Sequence, residues 1–296
     1  MPRTPRGSIV LSEEHVPAGP RRRRATRLIV GLAVAAVAVG GFVGVRGMMA
    51  GSGAPACRAV AMSTTVTFDP EQTDNAATIT AVALRRGLPP RAATIAIATA
   101  LQESKLRNLS YGDLDSVGLF QQRPSMGWGL RAQLLDPVYA ANAFYDALVK
   151  VKGYESMEIT KVAQAVQRSA APEAYAQHET EGRVLASNLT GHSPGALGCR
   201  LEPPATVGNA TSLQSQLQRQ LGLTATRRGT DLVVTATDAT HAWAVGEWAV
   251  AKAEATGIRA VSVGPRRWTR SPTDSAWSWQ AGTAGSSPTL VVIHLA

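Results

Sequence analysis

LQESKLRNLSYGDLDSVGLFQQRP, residues 101–124, runs from the end of an apolar stretch through a polar loop to the short apolar pair Leu119-Phe120. Upstream, Pro89 and Pro90 suit a first helical turn, and the RAATIAIATALQ that follows is dominated by small and aliphatic residues. This predicts a helix over residues 90–103 that is largely buried, with Glu103 at its C-terminal end. Desolvation and the negative end of the helix dipole both disfavour an ionised carboxyl there. The predicted consequence is a raised pKa, which a general acid needs. An isolated Glu at a helix end is ordinarily solvated, so its neighbours carry the weight.

Those neighbours are loop formers: Asn108, Ser110, Gly112, Asp113, Asp115, Ser116 and Gly118. Gly118 allows close approach of a backbone to a ligand, and Gln121 offers both a donor and an acceptor to a sugar hydroxyl or acetamido group. Trp128 has a flat apolar face suited equally to a pyranose ring or to the core.

The Glu103-Ser104 pair with Gly118-Leu119-Phe120-Gln121 downstream resembles the catalytic signature of the lysozyme-like (SLT-type) lytic transglycosylases, over roughly residues 73–190. In that resemblance Glu103 corresponds to the single catalytic acid and residues 118–121 to the family's Gly-Leu-Met-Gln. The resemblance implies peptidoglycan as substrate, no cofactor, and substrate contacts from Ser104, Gly118, Leu119, Phe120, Gln121, Trp128 and Gln167. The family's Ala-Tyr-Asn motif, whose Tyr lies near the acid, has Ala165-Val166-Gln167 as its best counterpart. Val166 has no hydroxyl, so either Tyr111 or Tyr175 supplies that hydrogen bond or the carboxyl is less well oriented; Tyr175 reads equally as a packing aromatic. A hydrolytic lysozyme would add a second carboxylate, for which Asp113 and Asp115 are the candidates, although both also read as turn residues. A non-catalytic peptidoglycan-binding or envelope scaffold protein is the alternative from another class.

The N-terminus supplies a location. Residues 1–27 hold seven Arg against two Glu, a net +5, with several Pro and Gly, and read as a disordered basic cytoplasmic tail. Residues 28–45 are eighteen without a polar side chain, about 27 Å of helix at about 1.5 Å per residue, which predicts a transmembrane helix. The arginines preceding it place the N-terminus in the cytoplasm and the rest outside, with lipid as a partner of the helix. A cleaved signal peptide is the rival. From residue 47 onward 22 basic face 19 acidic residues, so the high pI gives no reason to expect nucleic-acid binding.

Cys57 and Cys199 flank the proposed catalytic region, and an oxidising compartment predicts a disulfide between them. The five His are scattered without ligand spacing, so no metal is expected. The composition divides the exterior into a tether (46–72), a mainly α, lysozyme-like domain (73–200), a Pro-containing linker (201–210) and a small α/β domain (211–296), giving an α+β chain overall. Five of six Trp fall in the last part, where regular spacing favours a core over a glycan-stacking face. Residues 211–296 could also hold an envelope protein partner.

Overall fold

Residues 53–167, 172–282 and 287–296 are described by the structure, a computed structural model. Strands β1 (Ala56–Ala61) and β2 (Thr64–Phe68) pair antiparallel through the two-residue turn Met62-Ser63. Both turn residues have positive φ, 49° and 61°, as a type I′ hairpin turn requires. Cys57, Ala59 and Ala61 alternate inward and are buried. Much later in the chain β3 (Leu197–Arg200) returns along β1, giving the order β2-β1-β3. Cys57 and Cys199 sit opposite each other in this register and form a disulfide across 142 residues of sequence.

Among the described residues, six α-helices lie between β2 and β3: α1 (Pro70–Arg85), α2 (Pro90–Ser104), the short α3 (Arg131–Leu134), α4 (Pro137–Leu148), α5 (Ile159–Gln167) and α6 (Glu179–Leu189). A capping box opens α1, with Asp69 Oδ1 accepting from the Gln72 N–H at 2.9 Å and Gln72 Oε1 accepting from the Asp69 N–H at 3.1 Å. Every residue of α2 from Ala92 to Leu101 is buried. Its small side chains let neighbours come close: a Cβ added at Gly182 of α6 would lie 2.8 Å from the Thr94 carbonyl oxygen.

After β3 come α7 (Ala210–Leu221), β4 (Thr226–Arg228), β5 (Asp231–Thr235), α8 (Ala239–Ala251), α9 (Ala253–Thr256), β6 (Ile258–Val263), β7 (Arg266–Thr269), β8 (Gln280–Ala281) and β9 (Leu290–Leu295). These strands form a second antiparallel sheet, in the order β4-β5-β9-β6-β7-β8. The register row Leu232, Ile293, Val261 and Trp268 is buried, and α8 packs on the sheet. Helix α8 also packs on α1 and α6. At its end the buried Lys252 donates to Thr78 Oγ1 at 2.6 Å and pairs with Asp74 of α1. Glu247 of α8 is fully buried and accepts the backbone N–H of Ala196 at 3.1 Å, and burial pushes its carboxyl well above the usual range.

The tryptophans serve this packing. Trp248, Trp268 and Trp279 are buried, with their indole N–H groups donating to Gln220 Oε1, the Ala276 carbonyl and the Leu197 carbonyl. Trp243 meets Trp279 edge to face at 5.0 Å. Trp277 is half-buried, within cation–π distance of Arg58 and Arg200.

The fold class read from the sequence, a transmembrane helix followed by a mainly α domain and a small α/β domain, is corrected. The structure is α+β with two sheets, and no helix among the described residues is long and apolar enough to cross a membrane. The longest of them spans 16 residues, short of the ~20 a bilayer needs. The segment 28–45 lies outside the described residues. The helical part is not α alone, because residues 56–68, read as tether, form a hairpin that β3 extends. Between β7 and β9 lie a 3-10 turn at Asp274–Trp277 and the two-residue β8.

Loss of the disulfide is expected to cost about 2–5 kcal/mol. Denaturant unfolding of Cys199→Ser should show a correspondingly lower midpoint, and reductant should reproduce that shift in the parent protein while leaving the variant unchanged.

Candidate active site

Helix α2 ends by turning its chain sharply back. Lys105 and Leu106 both adopt left-handed φ, 56° and 58°, and their N–H groups close on the carbonyls of Leu101 and Ala100 at 3.1 Å. Two non-glycine residues in this region store strain, which persists only where surrounding contacts enforce it. The enforcing contact is Ser104. Buried, its hydroxyl accepts from the Arg107 N–H at 3.2 Å and lies 3.0 Å from the Ala100 carbonyl and 2.7 Å from the Leu119 carbonyl. It clips the helix end to the loop at residues 118–121.

That loop is pinched shut by reciprocal hydrogen bonds between Val117 and Gln122, both 3.1 Å. Gly118 has φ 81°, and a Cβ there would come within 2.4 Å of the Leu134 carbonyl oxygen, so glycine is required. Leu119 and Phe120 are fully buried, with Phe120 stacked on Phe144 at 4.7 Å. Gln121, at φ 46°, folds its amide onto its own loop: Nε2 donates to Gly118 O at 3.1 Å and Tyr111 O at 3.3 Å, while Oε1 accepts from Ser116 Oγ at 3.1 Å.

Glu103 is half-buried between this loop and the 3-10 turn Pro172–His178. The hydroxyl of the buried Tyr175 donates to Glu103 Oε1 at 2.5 Å. The Gln167 side chain also favours the carboxylate, while its Nε2 donates to the Phe120 carbonyl at 2.7 Å. Burial raises the Glu103 pKa, and the hydrogen bonds from Tyr175 and Gln167 pull in the opposite direction without overcoming it. The carboxyl therefore has one oriented donor, Tyr175, and a pKa raised above the ordinary carboxylate value. Of the two tyrosines weighed for this role, Tyr175 holds the acid and Tyr111 is exposed.

Glu103 opens onto a cleft of about 1110 Å³, which also reaches Asp113, Gln121, Trp128 and Gln167. This volume exceeds the ~300–1,000 Å³ of typical small-molecule sites and suits a segment of polymer. Asp115 is not among the lining residues. It is held by Arg123 at 2.9 Å and by the Ser125 N–H at 2.8 Å, and these contacts, Arg123 foremost, depress its pKa to about 2. Asp113 is exposed at the cleft wall. Trp128 is both lining and half-buried against the core. The opposite wall, Tyr139, Ala143, Asp146, Ala147 and Lys150, went unread in the sequence. The spacing of four, three and four among Tyr139, Ala143, Asp146 and Lys150 is the helical signal that would have found it.

No protein-family model and no curated protein matches the chain.

Tyr175→Phe removes a donor to the carboxylate and should move the Glu103 pKa further up, measured by carbon-detected NMR titration of the carboxyl. The raised pKa also costs stability wherever Glu103 must ionise in the fold. Glu103→Gln should accordingly be more stable than the parent at pH 7, and the gap should close as pH falls through the raised folded-state pKa to the ordinary carboxylate value, measured by denaturant unfolding across pH.

Proposed function

We propose that the protein cleaves the glycan strands of peptidoglycan as a lytic transglycosylase-like enzyme, with Glu103 acting first as acid and then as base. The observation that carries this reading is the Glu103 carboxyl, the one in the cleft that is desolvated, at the end of α2, and held by the Tyr175 hydroxyl. The Glu103 proton passes to the glycosidic oxygen as the bond to the anomeric carbon breaks, leaving positive charge on the ring carbon and oxygen. The carboxylate so formed takes the proton of the sugar's own 6-hydroxyl, whose oxygen bonds to the anomeric carbon. The product is a 1,6-anhydro sugar, water is not consumed, and Glu103 ends protonated again.

Tyr175 supports the same reading from a different part of the chain. Its hydroxyl fills the place that Val166 leaves without a donor, since Val166 lines the cleft with a hydrocarbon side chain. The disulfide favours an oxidising compartment, where peptidoglycan lies.

A hydrolytic reaction is favoured by one observation, the presence of Asp113 in the same cleft, where it could direct a water. Incubation of purified peptidoglycan with the protein, followed by mass spectrometry, separates the two. Anhydro-muropeptides are expected from the parent, and Glu103→Gln should lower their release by at least about a hundredfold, the scale of a lost general acid. Reducing-end products that vanish in Asp113→Asn would establish the hydrolase instead. Retention on peptidoglycan without release of either product would point to a binding protein.

A further inference from the structure

The second sheet carries its helix α8 on one face, and its opposite face bears a cluster that the proposed reaction does not use. Along β9, Val291, Ile293 and Leu295 point into the core, while Leu290, Val292 and His294 alternate outward and are half-buried. His294 stands at the centre of three groups. Its Nδ1 is 2.9 Å from Asp231 Oδ2 on β5, and its Nε2 is 3.0 Å from Arg267 Nη1 on β7 and 3.4 Å from Ser262 Oγ on β6. Arg267 Nη1 is also 3.4 Å from Ser262 Oγ. A guanidinium only donates, so Nε2 is the acceptor and the ring proton sits on Nδ1, directed at Asp231.

The balance of donors and acceptors is then uneven. The Nε2 lone pair can satisfy one donor, yet both Arg267 and Ser262 approach it. Asp231 is the one carboxylate in the cluster and is engaged by the imidazole N–H. Among the described residues Arg267 has no carboxylate partner, and neither does Arg259, whose charge also reaches His294, nor Arg228, which faces Asp231 in the strand register. Burial, first, and the charges of Arg267 and Arg259 hold the imidazole below its usual pKa, against the pull of Asp231. The cluster is rich in N–H and O–H donors and in positive charge, and short of acceptors.

We propose that the outer face of the second sheet, around Arg267, Ser262, His294 and Arg259, binds a phosphate group, presented either as free phosphate or along a phosphodiester polymer. The planar guanidinium of Arg267 suits two oxygens of a tetrahedral anion, and Ser262 turns its hydroxyl proton from Nε2 to a third. Arg259, exposed beside them, adds charge without being needed for packing. Several arginines on an open sheet surface favour a repeating anion, because each further phosphate gains from its neighbours at high effective concentration.

The full-length protein, labelled for imidazole NMR, tests this by titration with inorganic phosphate and, separately, with poly(glycerol phosphate). Saturable movement of the His294 resonances by phosphate, weakened at least about tenfold in Arg259→Gln and in Arg267→Ala but less in Arg267→Lys, is the expected result. Movement at much lower phosphate-equivalent concentration with the polymer would assign the polymer as the ligand, and equal potency would assign the free ion. Failure of both probes to move His294, or movement unchanged in Arg259→Gln, whose side chain supports no packing, would overturn the proposal. The cleft at Glu103 lies outside this cluster, so the result stands whatever the peptidoglycan experiment returns.

Discussion

A helix whose residues from Ala92 to Leu101 are all buried has no face left for water, and so the rest of the chain must enclose it. Most helices of a domain this size carry a polar stripe. Here α1, α4, α5 and α6 all pack on α2, and Gly182 lets α6 approach it at backbone distance. Such enclosure is possible because alanines and threonines fill seven of the ten positions from Ala92 to Leu101, and the threonine hydroxyls return to the helix's own carbonyls, as Thr99 Oγ1 does to Ile95 O at 2.8 Å. The chemistry of Glu103 follows from that enclosure. A carboxyl at the first point where a buried rod meets solvent is partly stripped of water by the scaffold itself, and the Ser104 clip fixes where that point falls.

Much of this could be read from one line of sequence, and what could not has physical reasons. The run RAATIAIATALQ shows burial because it lacks any polar face, and Cys57 with Cys199 showed a pairing through compartment and position. The hairpin at residues 56–68 escaped because its turn is Met62-Ser63. Type I′ turns advertise themselves through Asn-Gly or Asp-Gly, and two side-chain-bearing residues at positive φ give no such signal. Strands β4 and β7 escaped because arginine makes up much of TRR and RRWT, and runs of three and four residues are too short to show alternation. Tyr175 lies 72 residues from Glu103, so its place beside the acid depends on how the helices between them pack.

The second sheet and the helical part share their interior. Trp248, Glu247 and the capping Lys252 of one helix bond to residues from three other regions: Gln220, the backbone at Ala196 (through Glu247 Oε1 alone), and Asp74 with Thr78. A buried lysine and a buried glutamate on the same helix, each with its own partner, demand a single docking geometry, because any slip leaves a polar group unsatisfied in a dry interior. The apolar contacts around them supply the attraction, and these polar ties select the arrangement.

The pairing of β1 with β3 has a consequence in time as well as in space. During synthesis β1 and its cysteine are complete long before β3 exists, since 142 residues separate the two sulfurs. One edge of β1, with its free thiol, therefore stays open while the helices between the two strands are being made. Closure of that sheet requires the whole helical segment to have been delivered, so the oxidised bond is a record that this part of the chain is complete.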